Sequence, residues 1–231
     1  MISQNRTITS GGLKTLQTSG DSGEREVSPR VPRYALGSFH GVEFDVVAWG
    51  PREAEVDLSF ACMFEHEAAG ASLGGGMLSL DESLDRLLTR MRTRGAFKAQ
   101  QLETLHLASL PDRLAPKSIM VIGLGNPEAL TGDLLERATG MAIAEAIRLK
   151  VQTVAFAPNL LDAGLANIAG MHIASSMLTG VFNALTTATF LAEAGFSETP
   201  SIRRWSFDSG VAHIDAAAKE FASAFYMLSA R

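Results

Sequence analysis

The stretch Ser118-Ile119-Met120-Val121-Ile122-Gly123-Leu124-Gly125, read with the helix and strand that come after it, sets the fold class. Residues 118–122 form a short apolar run of the kind that suits a strand inside a sheet. After Leu130-Thr131 the period changes. Leu134, Leu135, Ala138, Met141, Ala142, Ala146 and Leu149 recur at helical spacing, and Thr131 stands where it can cap the first turn. Residues 151–157 then return to a β-type run. A strand, a helix and a second strand in about forty residues make a βαβ unit, whose strands run parallel and whose crossover is right-handed.

Towards the amino terminus, runs at 34–40 and 42–49, divided by His40-Gly41, read as a hairpin, and 55–64 alternates before becoming apolar throughout. Apolar residues at 80, 84, 87, 88 and 91 lie on one face of a single helix, with Arg92 and Arg94 in its last turn and Gly95 as its stop. Residues 103–109 form another strand. Towards the carboxyl terminus, 165–194 is helical, with Gly170 or Gly180 as points of breakage, 201–208 is the last strand and 211–229 the last helix. No unit of 20 to 50 residues repeats, which excludes a solenoid. The expected fold is α/β, three-layered, with a mixed but mostly parallel sheet between helices. It occupies one domain over 33–231, preceded by a flexible arm over 1–32 that is rich in Ser, Thr, Gly and charge.

Composition narrows the function classes. Apolar residues make up 46% of the 231 and charged residues 19%, in keeping with a compact globular protein. A net charge of −5 and a pI near 5.6, without a Lys/Arg block, argue against nucleic acid as a partner. The start lacks the apolar core of a secretory signal, and the most apolar long segment, 168–194, is interrupted by His172, Asn183 and several Ser and Thr residues. The expectation is a cytoplasmic protein with no membrane partner. The lone cysteine, Cys62, is set among apolar residues and reads as a buried, inert thiol.

Several of these segments fall in an order that resembles the amino-terminal domain of the leucyl (cytosol) aminopeptidases. The features are Leu80-Asp81-Glu82, then Gly95-Ala96-Phe97-Lys98, Glu103-Thr104-Leu105-His106-Leu107, the strand ending Ile122-Gly123-Leu124-Gly125, Leu130-Thr131 before an Ala-rich helix, and Gly180-Val181-Phe182. The likeness covers roughly 34–229. It implies a fold like that of macro domains and a domain that in the family helps build the hexamer and can be regulatory. The family's peptidase chemistry belongs to a carboxy-terminal domain with stretches resembling Asn-Thr-Asp-Ala-Glu-Gly-Arg, where a lysine and several carboxylates bind two metal ions. No such stretch occurs here, and the chain ends about where that half would begin. The resemblance therefore implies a binding, assembly or regulatory module without peptidase activity, expected to form a homo-oligomer or to serve as the regulatory subunit of a separately encoded aminopeptidase.

The residues offer few sites of their own. Gly123, Gly125 and Asn126, at a strand end before a helix, can present backbone N–H groups to a small phosphate-containing ligand, and Gly74-Gly75-Gly76 forms a second loop able to approach a ligand closely; that the ligand is of the ADP-ribose kind is what the macro-like resemblance implies. Against a dinucleotide fingerprint, Glu128 stands where the third glycine belongs. Tight-turn and linker roles are the structural alternatives for the two loops. His66 lies between Glu65 and Glu67, of which only the two carboxylates share a side, and His40, His106, His172 and His213 form no i, i+4 pair. No metal, no cofactor and no catalytic residue is expected. Asp208-Ser209-Gly210 reads as a turn in which Asp208 or Ser209 caps the last helix. The last helix carries a stripe of Ile214, Ala217, Ala218, Phe221, Ala222, Phe225 and Leu228, expected to pack on its own sheet or in part on another subunit.

Overall fold

The computed structural model describes residues 31–68, 72–160, 165 and 171–230. Most of the arm expected over 1–32 and the expected break at Gly170 therefore lie outside the described residues. Among the described residues, seven strands form one sheet in the order β1-β2-β7-β6-β3-β5-β4. These are β1 (Arg33–Phe39), β2 (Val42–Val47), β3 (Leu58–Met63), β4 (Thr104–Leu107), β5 (Ser118–Gly123), β6 (Thr153–Ala157) and β7 (Arg204–Asp208). The hairpin turns at His40-Gly41 as expected, with Phe39 opposite Val42. Of these strands, the edge members β1 and β4 run antiparallel to their neighbours, and β2, β7, β6, β3 and β5 are mutually parallel. The βαβ strands β5 and β6 are parallel but not adjacent, because β3 pairs with both of them.

The period-2 alternation of the strands divides the core between two faces. Phe60 and Cys62 of β3, Met120 and Ile122 of β5, Phe156 of β6 and Trp205 and Phe207 of β7 join one cluster. Over it lie α3 (Gly132–Arg148), α4 (Ile173–Glu193) and α5 (Ile214–Ser229). Ala61 and Met63 of β3, with Ile119 and Val121 of β5, face the other way, against α1 (Gly75–Ser83) and α2 (Leu87–Arg94). Beside them the loop after β2 places Trp49, Ala54 and Val56 over Ala155. The sheet is thus covered on both faces, which accounts for the continuous apolar character of β3.

The carboxylate of Asp57 ties the amino-terminal ends of three of these strands together. Its Oδ2 accepts from the backbone N–H groups of Gln152 and Thr153, both at 2.9 Å, and from the Thr153 hydroxyl at 3.1 Å. Its Oδ1 accepts from Lys117 Nζ at 2.7 Å, next to the start of β5. Partial burial alone would raise the pKa of this carboxyl, but the hydrogen-bond donors around it outweigh burial and bring it down to about 2 from an ordinary 3.8.

Two helix expectations are corrected. The helix read through 80–91 is broken into α1 and α2, because Asp85 and Arg86 take left-handed φ values of 54° and 60°. The break is held by Asp81, which is buried and whose Oδ1 accepts from Leu88 N at 2.8 Å, so a residue inside the first helix caps the second. Gly180, offered as a break, lies inside an uninterrupted α4. Its role is close approach: a Cβ there would stand 2.1 Å from the Glu136 carbonyl oxygen and 2.4 Å from Thr139 Oγ1, so α3 and α4 cross in contact only because that atom is missing. Thr131 caps α3 as expected, accepting from Leu134 N at 3.2 Å.

Candidate functional site

The parallel strands β2, β6 and β7 all point their carboxyl ends to one edge of the sheet, where ligands of open α/β sheets characteristically bind. A cleft of about 530 Å³ opens there. Its walls are Trp49-Gly50-Pro51 after β2, residues 157–160 after β6 and Phe207–Gly210 at the end of β7. Residues 211–213 before α5, Gly75 and Gly76 of α1, Ile173 and Met177 of α4, and Ala216, Ala217, Glu220 and Phe221 of α5 complete it. The lining is largely apolar, and Phe207 and Phe221 stack with ring centroids 4.4 Å apart.

The polar groups of the cleft are held in place by local bonds. Asp208 Oδ1 accepts from Gly210 N at 3.0 Å, closing the turn out of β7. Ser209 Oγ donates towards the carbonyl of Val47 at 3.4 Å, joining that turn to the end of β2. No side chain caps α5, so the expected capping by Asp208 or Ser209 is replaced by this turn. Glu220 reaches across to the first turn of α4, where its Oε1 accepts from Ala174 N at 3.3 Å. The carboxylate therefore sits at the positive end of the α4 dipole, a place an external anion would otherwise take. Asn159 has a left-handed φ of 51°, and its Nδ2 donates to Ala157 O at 3.2 Å and Cys62 O at 3.4 Å, tying the ends of β6 and β3.

The structure treats the two glycine loops differently. Gly74 is the cap position of α1, and Gly75 and Gly76 line the cleft. Gly123, Gly125 and Asn126 do not line it. The N–H groups of Gly123, Leu124 and Gly125 donate to the carbonyls of Glu103, Met63 and Ala99 at 2.7, 2.8 and 2.9 Å, so the chain itself takes the donors that a phosphate would need. A Cβ at Gly123 would lie 2.1 Å from Gln100 O, which shows how closely the loop around Ala99 presses on this strand end. The Asn126 side chain accepts from Glu128 N at 2.9 Å.

Elsewhere, Glu67 pairs with Arg92 at 2.9 Å, and His66 Nδ1 lies 3.3 Å from Glu67 O. Cys62 is buried, and burial pushes its thiol up, away from the reactive thiolate. Among the described residues no group of three His, Cys, Asp or Glu side chains converges as a metal site. No helix among them is long and apolar enough to cross a membrane. Sequence reasoning missed Trp49, Asn159, Glu220 and the Phe207–Phe221 pair as cleft residues. The usable signal was positional, since each lies at or just beyond the carboxyl end of a parallel strand or on the helix packed across that edge.

Comparison with known proteins places this architecture. Residues 63–185 match the family described as cytosol aminopeptidase family, N-terminal domain. A probable cytosol aminopeptidase of Alkaliphilus oremlandii is 38% identical over 95 residues, which are 41% of this chain and 19% of that relative, so the chain matches about a fifth of its length. A tomato leucine aminopeptidase mutant superposes with a TM-score of 0.53 at 15% identity, covering 79% of this chain and 35% of that one. A macrodomain of Oceanobacillus iheyensis, solved with ADP, gives 0.59 at 12% identity over 86% of this chain and 97% of its own. The fold is accordingly macro-like, as the resemblance implied. With the family model matching more than half of its residues, the chain belongs to the cytosol aminopeptidase family through that family's N-terminal domain.

Proposed function

We propose that this protein is a binding module, with an assembly or regulatory role and without peptidase chemistry of its own, that receives a small ligand in the cleft at the carboxyl edge of the sheet. One observation carries the reading. The cleft is roomy and apolar, while its polar side chains Asp208, Ser209 and Glu220 are engaged in holding the turn and helix ends together. Such an arrangement favours holding a molecule over transforming it, because no nucleophile among the described lining residues is paired with a positioned base. Self-association and placement in the cytoplasm belong to the same reading; service as the regulatory subunit of a separately encoded aminopeptidase is a distinct alternative, which co-purification with that enzyme tests.

Incubating the purified chain with leucyl p-nitroanilide and zinc or manganese tests it. No hydrolysis above the buffer rate is expected, and metal-dependent turnover would overturn the reading. Native mass spectrometry of the same preparation reports subunit number and any retained ligand. A second reading, a macro-type binder or hydrolase of ADP-ribose-like compounds, is favoured by Gly75 and Gly76 at the start of α1 facing the cleft and by the macrodomain fold. Calorimetry with ADP-ribose separates the two.

A further inference from the structure

The charges that line the cleft select among ligand classes, and this inference rests on the cleft being the binding site. Among the described residues its titratable lining groups are Asp208, His213 and Glu220, and no Lys or Arg lines it. Behind the wall, the guanidinium of Arg33 lies over the Trp49 ring at 5.0 Å but is engaged by Asp45. Three helix starts, those of α1, α4 and α5, contribute about half a positive charge each. Glu220 already answers the α4 end through Ala174. With no Lys or Arg in the described lining and Glu220 set against these partial charges, the cleft is poorly matched to the charge of a pyrophosphate. The Phe207–Phe221 stack and Trp49 meanwhile offer flat apolar walls.

We infer that the cleft takes a protonated amine with an apolar body, its ammonium group directed to Glu220 and its hydrocarbon or aromatic part against Phe207 and Phe221, and that it disfavours phosphate esters. Glu220 is suited to this task. It is exposed on the cleft side, and among the described residues it forms no ion pair. One carboxylate oxygen holds the start of α4, and the other, which makes no hydrogen bond among the described residues, serves the ligand. An open cleft screens such a pair, so charge adds about tenfold in affinity and the apolar walls supply the remainder.

Phenethylamine tests this directly, titrated calorimetrically into the full chain at pH 7 alongside phenethyl alcohol, its uncharged counterpart, and ADP-ribose. The expected order is amine about tenfold tighter than alcohol, with no heat from ADP-ribose. Glu220→Gln retains an oxygen for Ala174 N, so it preserves the helix contact while removing the charge. It is expected to bring amine and alcohol to equal affinity while lowering the melting temperature by only a few degrees, the cost of one charge at the start of α4. Equal binding of amine and alcohol by the unaltered protein overturns the inference, as does the absence of amine binding. ADP-ribose binding without amine binding overturns it too, yet leaves a ligand-holding cleft in place, whereas metal-dependent peptidase turnover would refute the binding-module reading itself.

Discussion

Replacing Asp57 with Asn perturbs the fold at one countable point. In the native protein this carboxylate satisfies Gln152 N, Thr153 N, the Thr153 hydroxyl and Lys117 Nζ at 2.7 to 3.1 Å, bridging the starts of β3, β5 and β6. A folded value of about 2 against an ordinary 3.8 corresponds to about 2 kcal/mol at 1.36 kcal/mol per pH unit. The side chain is 21% exposed, and solvent screening trims the net figure to about 1–2 kcal/mol. The sign follows from the depressed value. The charged form is favoured in the folded state, so its stabilisation is complete above about pH 4 and disappears as the pH falls towards 2. Asp57→Asn keeps one acceptor oxygen and loses the charge, so it should cost about 1–2 kcal/mol at pH 7 in urea denaturation. The gap between the two proteins should narrow as both are titrated from about pH 4 to about pH 2.5. A deficit that stays constant over that interval, or one below about 0.5 kcal/mol at pH 7, would refute the assignment of this clamp.

Two further substitutions probe the helices. Gly180→Ala would put a carbon 2.1 Å from Glu136 O and force α3 and α4 apart, costing about 3 kcal/mol in chemical denaturation, whereas Gly140→Ala, whose nearest neighbour is 3.4 Å away, should stay within about 1 kcal/mol of the parent. Equal effects at the two positions would contradict the proposed crossing. Asp81→Ala strips the N–H groups of Leu88 and Thr89 of their acceptor, and should lower stability by about 2 kcal/mol while raising amide exchange at the start of α2. Unchanged exchange there would show that α2 needs no such cap.

Local period and capping chemistry made much of the fold readable. The alternation in 55–64, the stripe from Leu134 to Leu149 and Thr131 before it each depend on neighbours in the chain, and β3, α3 and its cap appear where those signals place them. The helical stripe through 80–91 misled because it survives the break. Residues 80, 84 and 88 are all buried against the same face of the sheet whether one helix or two presents them, and only the buried carboxylate of Asp81 distinguishes the cases. Gly180 was ambiguous for a similar reason: helix breaking and helix contact call for the same missing side chain, and the neighbour that decides between them is on α3.

The class of elements, their order and the family are written in the chain alone, because helix and strand periods and short motifs are properties of contiguous residues. The site is a product of tertiary packing. Gly123 and Gly125 resemble a phosphate loop in one dimension, but the loop around Ala99, folded back across the end of β5, takes up the N–H groups there. The cleft draws instead on residues separated by more than a hundred positions, from Trp49 to Phe221, which meet because parallel pairing brings the carboxyl ends of β2, β6 and β7 to one edge. Strand order arises from long-range packing, so nothing within any one of those segments could announce it.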